Sequence, residues 1–285
     1  MPAPTTQKRL PAWVVPTAAI VLVVAGALVL ILLNAGGDET AAPSEPPSTG
    51  TVPAASEAIE TITSIPAAAY DRAGVSAVDP RAFVPLPEGE PPLERDGKPE
   101  VLYIGAEYCP FCAGQRWVVV AALSRFGEFS GLEESYSALD DVYPGTKTVT
   151  FRGSDFISEY VAFTGVETQD SEYQPLDTLT PDQEAVIGKY DAPPYVDAQS
   201  AGAIPFLDLG NDFVVVGATV PVDQMEGMTA AQIADATADP STPIGATVLG
   251  SANLMSAIIC DQNGGQPADV CGSAGVRAGA EALGL

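Results

Sequence analysis

Cys109 and Cys112, separated by Pro110 and Phe111, are the residues of this chain whose types and spacing point most directly to chemistry. A Cys-x-x-Cys pair can cycle between dithiol and disulfide, or form half of a zinc site. Zinc is the weaker reading. The chain has no histidine, and its other two cysteines, Cys260 and Cys271, lie far downstream at a spacing unlike a second metal knuckle. Redox work requires a thiolate, and the local sequence favours one. The apolar run Val101–Ile104 reads as a buried strand, and Trp117, Val120 and Leu123 recur at helical spacing to about Phe126, with Gly127 as the stop. The pair therefore sits where a strand hands over to a helix. There, unpaired N–H groups and the helix dipole favour a thiolate at Cys109. Pro110 suits the first helical turn, and Cys112, one turn on, can close a disulfide with Cys109 or resolve a mixed one.

Other residues bear on that chemistry. Tyr108 and Phe111 flank the thiols and either form an apolar docking surface for peptides or cover the sulfurs. Arg116, one turn beyond Cys112, can stabilise a thiolate or pair with a surface acid, while Glu107 opposes thiolate formation. Trp117 reads as core. Glu133-Glu134 and Asp140-Asp141 lack organised spacing and read as solvated loop charge. Cys260 and Cys271 enclose a loop rich in turn residues, and in an oxidising compartment they read as a structural disulfide rather than a shuttle pair.

The composition narrows the function further. The chain has 285 residues and carries 37 acidic against 12 basic side chains, a net charge of −25, which argues against nucleic acid as a partner. Without histidine there is no Ser-His-Asp or Cys-His catalysis. Residues 13–33 are uncharged and long enough to span a bilayer. Lys8 and Arg9 precede them and no base follows until Arg72, so residues 1–12 are expected in the cytoplasm and the body of the chain outside. A retained single-pass anchor is favoured over a cleaved signal peptide, because the apolar stretch exceeds the usual signal core. Residues 34–55 are rich in Pro, Ser and Ala and read as a flexible tether.

The extracytoplasmic domain is expected over residues 56–285. Ser56–Ala69 predicts one short amphipathic helix, and residues 74–99 an irregular wrapping segment. A core strand is expected from Glu100, and a second over Lys147–Phe151. Phe156, Ile157, Tyr160 and Phe163 suggest a helix over 154–163, and Thr180-Pro181 starts another to about Tyr190. Ile204–Leu209 and Phe213–Val216 flank Gly210-Asn211-Asp212 as a hairpin. Pro205 opens its first strand at an X-Pro step, the one common site of a cis peptide. Helices are expected at Thr229–Ala238 and Pro243–Cys260.

CPFC after a strand, the Ile204-Pro205 step and the following hairpin together resemble the thioredoxin superfamily. More narrowly, GAEYCPFCAGQRW with LSRFGEF and AGAIPF resembles a membrane-anchored thioredoxin-like family of actinobacteria and archaea described as a domain of unknown function, over roughly residues 56–283. The resemblance implies an α/β thioredoxin-like fold, a central mixed sheet flanked by helices, with a helical insertion at about 154–198. It makes Cys109 the nucleophile, Cys112 the resolving thiol and Pro205 the cis-proline, with backbone at Ile204-Pro205 holding the substrate strand. Tyr103 stands where thioredoxin has a buried acid, and no histidine lies between the cysteines, so the redox poise stays open. The implied activity is thiol–disulfide exchange with disulfide- or thiol-containing exported proteins and a membrane redox partner, needing no metal and no cofactor beyond the dithiol. The alternative is a non-catalytic binding module for cytochrome or copper-site assembly.

Overall fold

The computed structural model describes residues 55–285, so the expected cytoplasmic terminus, the membrane helix at 13–33 and nearly all of the tether lie outside the described residues. In chain order the elements are α1 (Glu57–Thr63), α2 (Ala67–Ala73), β1 (Val84–Pro85), β2 (Glu94–Arg95), β3 (Lys98–Gly105) and α3 (Pro110–Leu123). Then come β4 (Gly127–Ser130), β5 (Glu133–Tyr136), β6 (Lys147–Thr150), β7 (Asp155–Ser158), β8 (Ala162–Glu167) and α4 (Pro181–Tyr190). The chain closes with β9 (Phe206–Leu209), β10 (Phe213–Val216), α5 (Ala230–Ala238), α6 (Pro243–Gln262), α7 (Ala268–Cys271) and α8 (Ala274–Leu283).

β3 is the hub of a mixed sheet. It runs parallel to β8 on one side and antiparallel to β9 on the other, and the sheet continues through β10 to β1. Alternation along β3 feeds two cores. Leu102 and Ile104 join Val166, Phe206, Val214 and Tyr190, against which α4 packs. Val101 and Tyr103 face the larger core with Leu207, Leu209, α3 and α6. This is a mixed α/β protein, with helices on both faces of a mixed sheet. Among the described residues only α6 is long and apolar enough to cross a membrane, and 83% of its apolar window is buried inside the protein, as befits a core helix.

Several expected elements differ. The single helix over Ser56–Ala69 is two helices, because Pro66 cannot donate a backbone hydrogen bond and holds an extended conformation ahead of α2. The segment 74–99 is not wholly irregular, since β1 and β2 pair with β10 and β3. The helix expected over 154–163 is strand β7, a turn and the start of β8. Phe156 packs on Phe129 and Phe163 while Ile157 faces solvent, so the period is two rather than 3.6. Ser158 breaks the segment, donating to the Phe126 carbonyl and accepting from Tyr160 and Val161 N–H. The expected helical insertion at 154–198 is corrected accordingly. It holds two strands and one helix, and β8 is the parallel neighbour of β3 in the main sheet.

Candidate functional site

The handover from β3 to α3 sets the site. Cys109 is the N-cap of α3 and its Sγ accepts the Cys112 backbone N–H at 3.3 Å, a thiol in the position usually held by Ser, Thr or Asp. Both cysteines are unpaired, Cys109 nearly and Cys112 fully buried. Because β9 runs antiparallel beside β3, its entry lies next to the end of β3. The Cys109 thiol thus points at the Ile204 carbonyl, 3.7 Å away, one residue before Pro205, and the Ile204–Pro205 peptide is cis. The structure therefore brings Cys109, Cys112, Ile204 and Pro205 together.

The two thiols are electrostatically unequal. The Cys112 thiol, helped by backbone N–H groups and the Arg116 guanidinium, holds Cys109 below the ordinary thiol range against the opposing effect of burial. Burial pushes Cys112 well above that range, and its bond to Cys109 adds to the rise. Such a split suits a nucleophile and a resolving thiol.

Beneath the pair lies an ion pair the sequence reading missed. Arg116 pairs not with a surface acid but with Glu167 at the end of β8. Nε reaches Oε1 at 2.7 Å and Nη2 reaches Oε2 at 2.6 Å, with both side chains fully buried. Arg116 Nη2 also donates to the Ala106 carbonyl at 2.8 Å, while Nη1 and the buried Tyr103 hydroxyl have no protein partner. Burial raises Glu167 above the usual carboxylate range despite Arg116. The strand-like alternation of Thr164, Val166 and Thr168 was the available signal for Glu167, masked by the helical reading of the preceding segment.

The rest of the motif locks this arrangement in place. Gly105 leaves room for the Tyr103 hydroxyl, which an added Cβ would meet at 2.3 Å, and at Gly114 a Cβ would meet Val222 at 2.7 Å. Gln115 accepts the Thr219 N–H at 2.9 Å, the Ala113 carbonyl accepts from Thr148, and the Trp117 indole donates to Lys147 O at 3.1 Å. Glu107 accepts the Thr150 hydroxyl at 2.5 Å. Trp117 is core, as its spacing indicates.

An aromatic rim surrounds the thiols. Tyr108 is half-buried and packs on Tyr173 at 4.8 Å, while Phe111 is exposed and meets Tyr143 edge-on at 6.0 Å. Tyr143 and Tyr173 both hold positive φ, 54° and 62°. For bulky side chains that conformation costs of order 1–3 kcal/mol each. Cys260 and Cys271 form a disulfide away from this centre. Gln262, just past Cys260, bonds Leu209 O at the end of β9, opposite the Ile204 end. Glu133 and Glu134 are exposed on β5. Among the described residues no cluster of potential ligands could hold a metal ion.

The sequence pattern of a family described as a domain of unknown function, DUF929, matches residues 89–261, more than half of the chain. The chain belongs to that family. The matched span contains β3, α3, both free cysteines, the Ile204-Pro205 step, Glu167 and α6 up to Asp261, so the DUF929 region carries the whole candidate site. No curated protein and no solved structure matches the chain significantly.

Proposed function

We propose that this DUF929 protein has a thioredoxin-like fold and is a membrane-anchored, extracytoplasmic thiol–disulfide oxidoreductase acting on exported proteins. The observation that carries the reading is the Cys109 thiol, capping α3, 3.7 Å from the carbonyl of Ile204. One buried dithiol at a helix start beside a half-buried backbone acceptor is an arrangement that suits thiol exchange with an extended peptide. The sheet supports the fold assignment. A strand–helix unit through the cysteines leads to a parallel neighbour, and a β-hairpin adds antiparallel on the other side of β3. The topology proposal rests on Lys8, Arg9 and the apolar stretch 13–33.

In the reducing direction, the Cys109 thiolate attacks one sulfur of a substrate disulfide. A Cys109–substrate mixed disulfide forms and the other substrate sulfur leaves as a thiolate. Cys112, giving up its proton, then attacks the Cys109 sulfur and expels the second substrate thiolate. Two electrons have passed to the substrate, and Cys109–Cys112 is a disulfide. The reverse sequence oxidises a substrate dithiol, and a membrane redox partner sets the direction. Arg116 favours the thiolate states by its charge, while burial of Cys112 keeps the resolving thiol protonated until attack.

The test is trapping. With Cys112→Ser, the full-length chain mixed with a disulfide-containing protein should accumulate a reductant-sensitive mixed disulfide at Cys109. Absence of that adduct under conditions where the substrate disulfide is accessible contradicts the proposal.

A further inference from the structure

Among the described residues seven large apolar side chains are exposed, and four of them lie on segments tied to the turn that holds Cys109: Phe111 at 41%, Leu139 at 74%, Val142 at 50% and Tyr173 at 40%. The β5–β6 loop, residues 137–146, brings Leu139 and Val142 there. The loop is tied to the residue before the nucleophile, with Ala138 N–H donating to Tyr108 O at 2.9 Å, and its Tyr143 meets Phe111. Tyr173 closes the rim from the other side, packed on Tyr108 and donating its hydroxyl to Asp140 at 3.1 Å.

Two features mark this patch as built rather than incidental. Among the described residues four non-glycine residues hold positive φ: Asp96 and Asn211, of types that tolerate it, and Tyr143 and Tyr173, which do not. Both strained tyrosines lie on the rim. The loop enforces one of them, since Ser137 and Thr146 hydroxyls donate to the Tyr143 carbonyl at 3.3 and 2.8 Å. The second feature is charge. Asp140 and Asp141 sit at the tip, and residues 137–146 contain no Lys or Arg.

We infer that the β5–β6 loop with Phe111 and Tyr173 is a docking surface for an extended polypeptide segment carrying apolar and cationic side chains, which it presents to Cys109. This rests on the proposed redox function and names the class of its substrate. Apolar side chains take the Leu139–Val142–Phe111 surface, and Lys or Arg side chains take Asp140 and Asp141. Charge complementarity selects this occupant. A second copy would bring another chain of net charge −25 acid against acid, and an anionic lipid surface would face the same aspartates.

The test uses the full-length chain in phosphatidylcholine nanodiscs, with empty nanodiscs as the blank. Fluorescein-labelled, cysteine-free nine-residue peptides of alternating Leu and Lys, or Leu and Glu, are titrated by anisotropy. The Lys peptide should bind at least about tenfold more tightly than the Glu peptide, with the preference shrinking as salt rises. Asp140→Asn with Asp141→Asn should remove most of the preference. Leu139→Ser with Val142→Ser should weaken binding about tenfold while leaving the unfolding midpoint unchanged. Equal binding of the two peptides, or indifference to the Leu139 and Val142 changes, overturns the inference. So does concentration-dependent dimerisation abolished by those changes, which assigns the face to a second copy. Exchange with hydroxyethyl disulfide, followed on the unsubstituted chain, reads the redox function separately. If that exchange fails while peptide binding holds, the redox reading falls and the docking surface stands.

Discussion

Glu167→Gln should be among the most damaging single changes in the protein, and for a calculable reason. The substitution leaves the Arg116 guanidinium fully buried with its bidentate partner at 2.6 and 2.7 Å replaced by a neutral amide. The Ala106 carbonyl remains as its acceptor, and Nη1 has no protein partner in either case. Removing one member of such a pair costs about 3–5 kcal/mol, a large part of the roughly 5–15 kcal/mol that holds a domain folded. Replacing both members, as in Arg116→Met with Glu167→Leu, removes the charge altogether and should recover most of that loss. Urea unfolding of Arg116→Met, of Glu167→Leu and of the two together completes the cycle, with Glu167→Gln measured beside them. The same variants should move the Cys109 thiol in opposite directions. Arg116→Met removes a positive charge that holds it down, so alkylation by iodoacetamide should need higher pH; Glu167→Gln leaves that charge unopposed, so lower pH should suffice. A loss below about 1 kcal/mol in Glu167→Gln, or a double variant as unstable as the single, refutes the burial argument. Shifts of the Cys109 titration in the same direction refute the electrostatic one.

Three further outcomes are expected. Asp208, buried on β9 with Oδ2 unpartnered, is pushed up to about 7 by burial, from 3.8. The folded chain therefore holds a proton that the unfolded chain releases, and this contribution to stability declines as pH rises from about 4 to about 7. Asp208→Asn keeps an acceptor for the Asn211 N–H and removes the charge. Its stability advantage over the parent should grow through that window to a plateau of no more than about 4 kcal/mol in unfolding titrations, and an advantage that shrinks with pH contradicts the assignment. Replacing Cys260 and Cys271 together by Ala opens a link spanning 11 residues and should cost about 2–4 kcal/mol, while exchange at Cys109 continues at its original rate. In the fully reduced native chain, brief alkylation followed by peptide mapping should modify Cys109 and spare the fully buried Cys112.

The sequence was most legible where local rules act alone. The Cys109 cap, Pro110 in the first turn and the apolar face through Trp117 and Leu123 make α3 readable, and Gly210-Asn211-Asp212 between two apolar runs makes the β9–β10 hairpin readable. Segment 154–163 misled because Phe156, Tyr160 and Phe163 fit a helical face while actually serving two strands joined by the Ser158 turn. Ser56–Ala69 misled through isoleucines spaced for one helix across Pro66. What the sequence could not show is pairing at a distance. Arg116 meets Glu167 across 51 positions, and Tyr173 joins Tyr108 only because the chain after β8 returns over the end of β3, where Thr168 N–H bonds Gly105 O. The reactive thiols were legible from local chemistry; the counterion below them and the rim around them depend on tertiary structure.

If Cys109 and Cys112 cycle between dithiol and disulfide, the pair has a reduction potential within reach of thiol buffers. The full-length chain is equilibrated in glutathione buffers and the dithiol fraction read by alkylation, with Cys109→Ser as the control for signal from the other cysteines. A reversible two-electron transition between about −120 and −270 mV, absent from the control, is expected of a cycling pair. A pair that stays oxidised throughout, with a potential well below about −300 mV, is a structural disulfide, and the oxidoreductase proposal then falls.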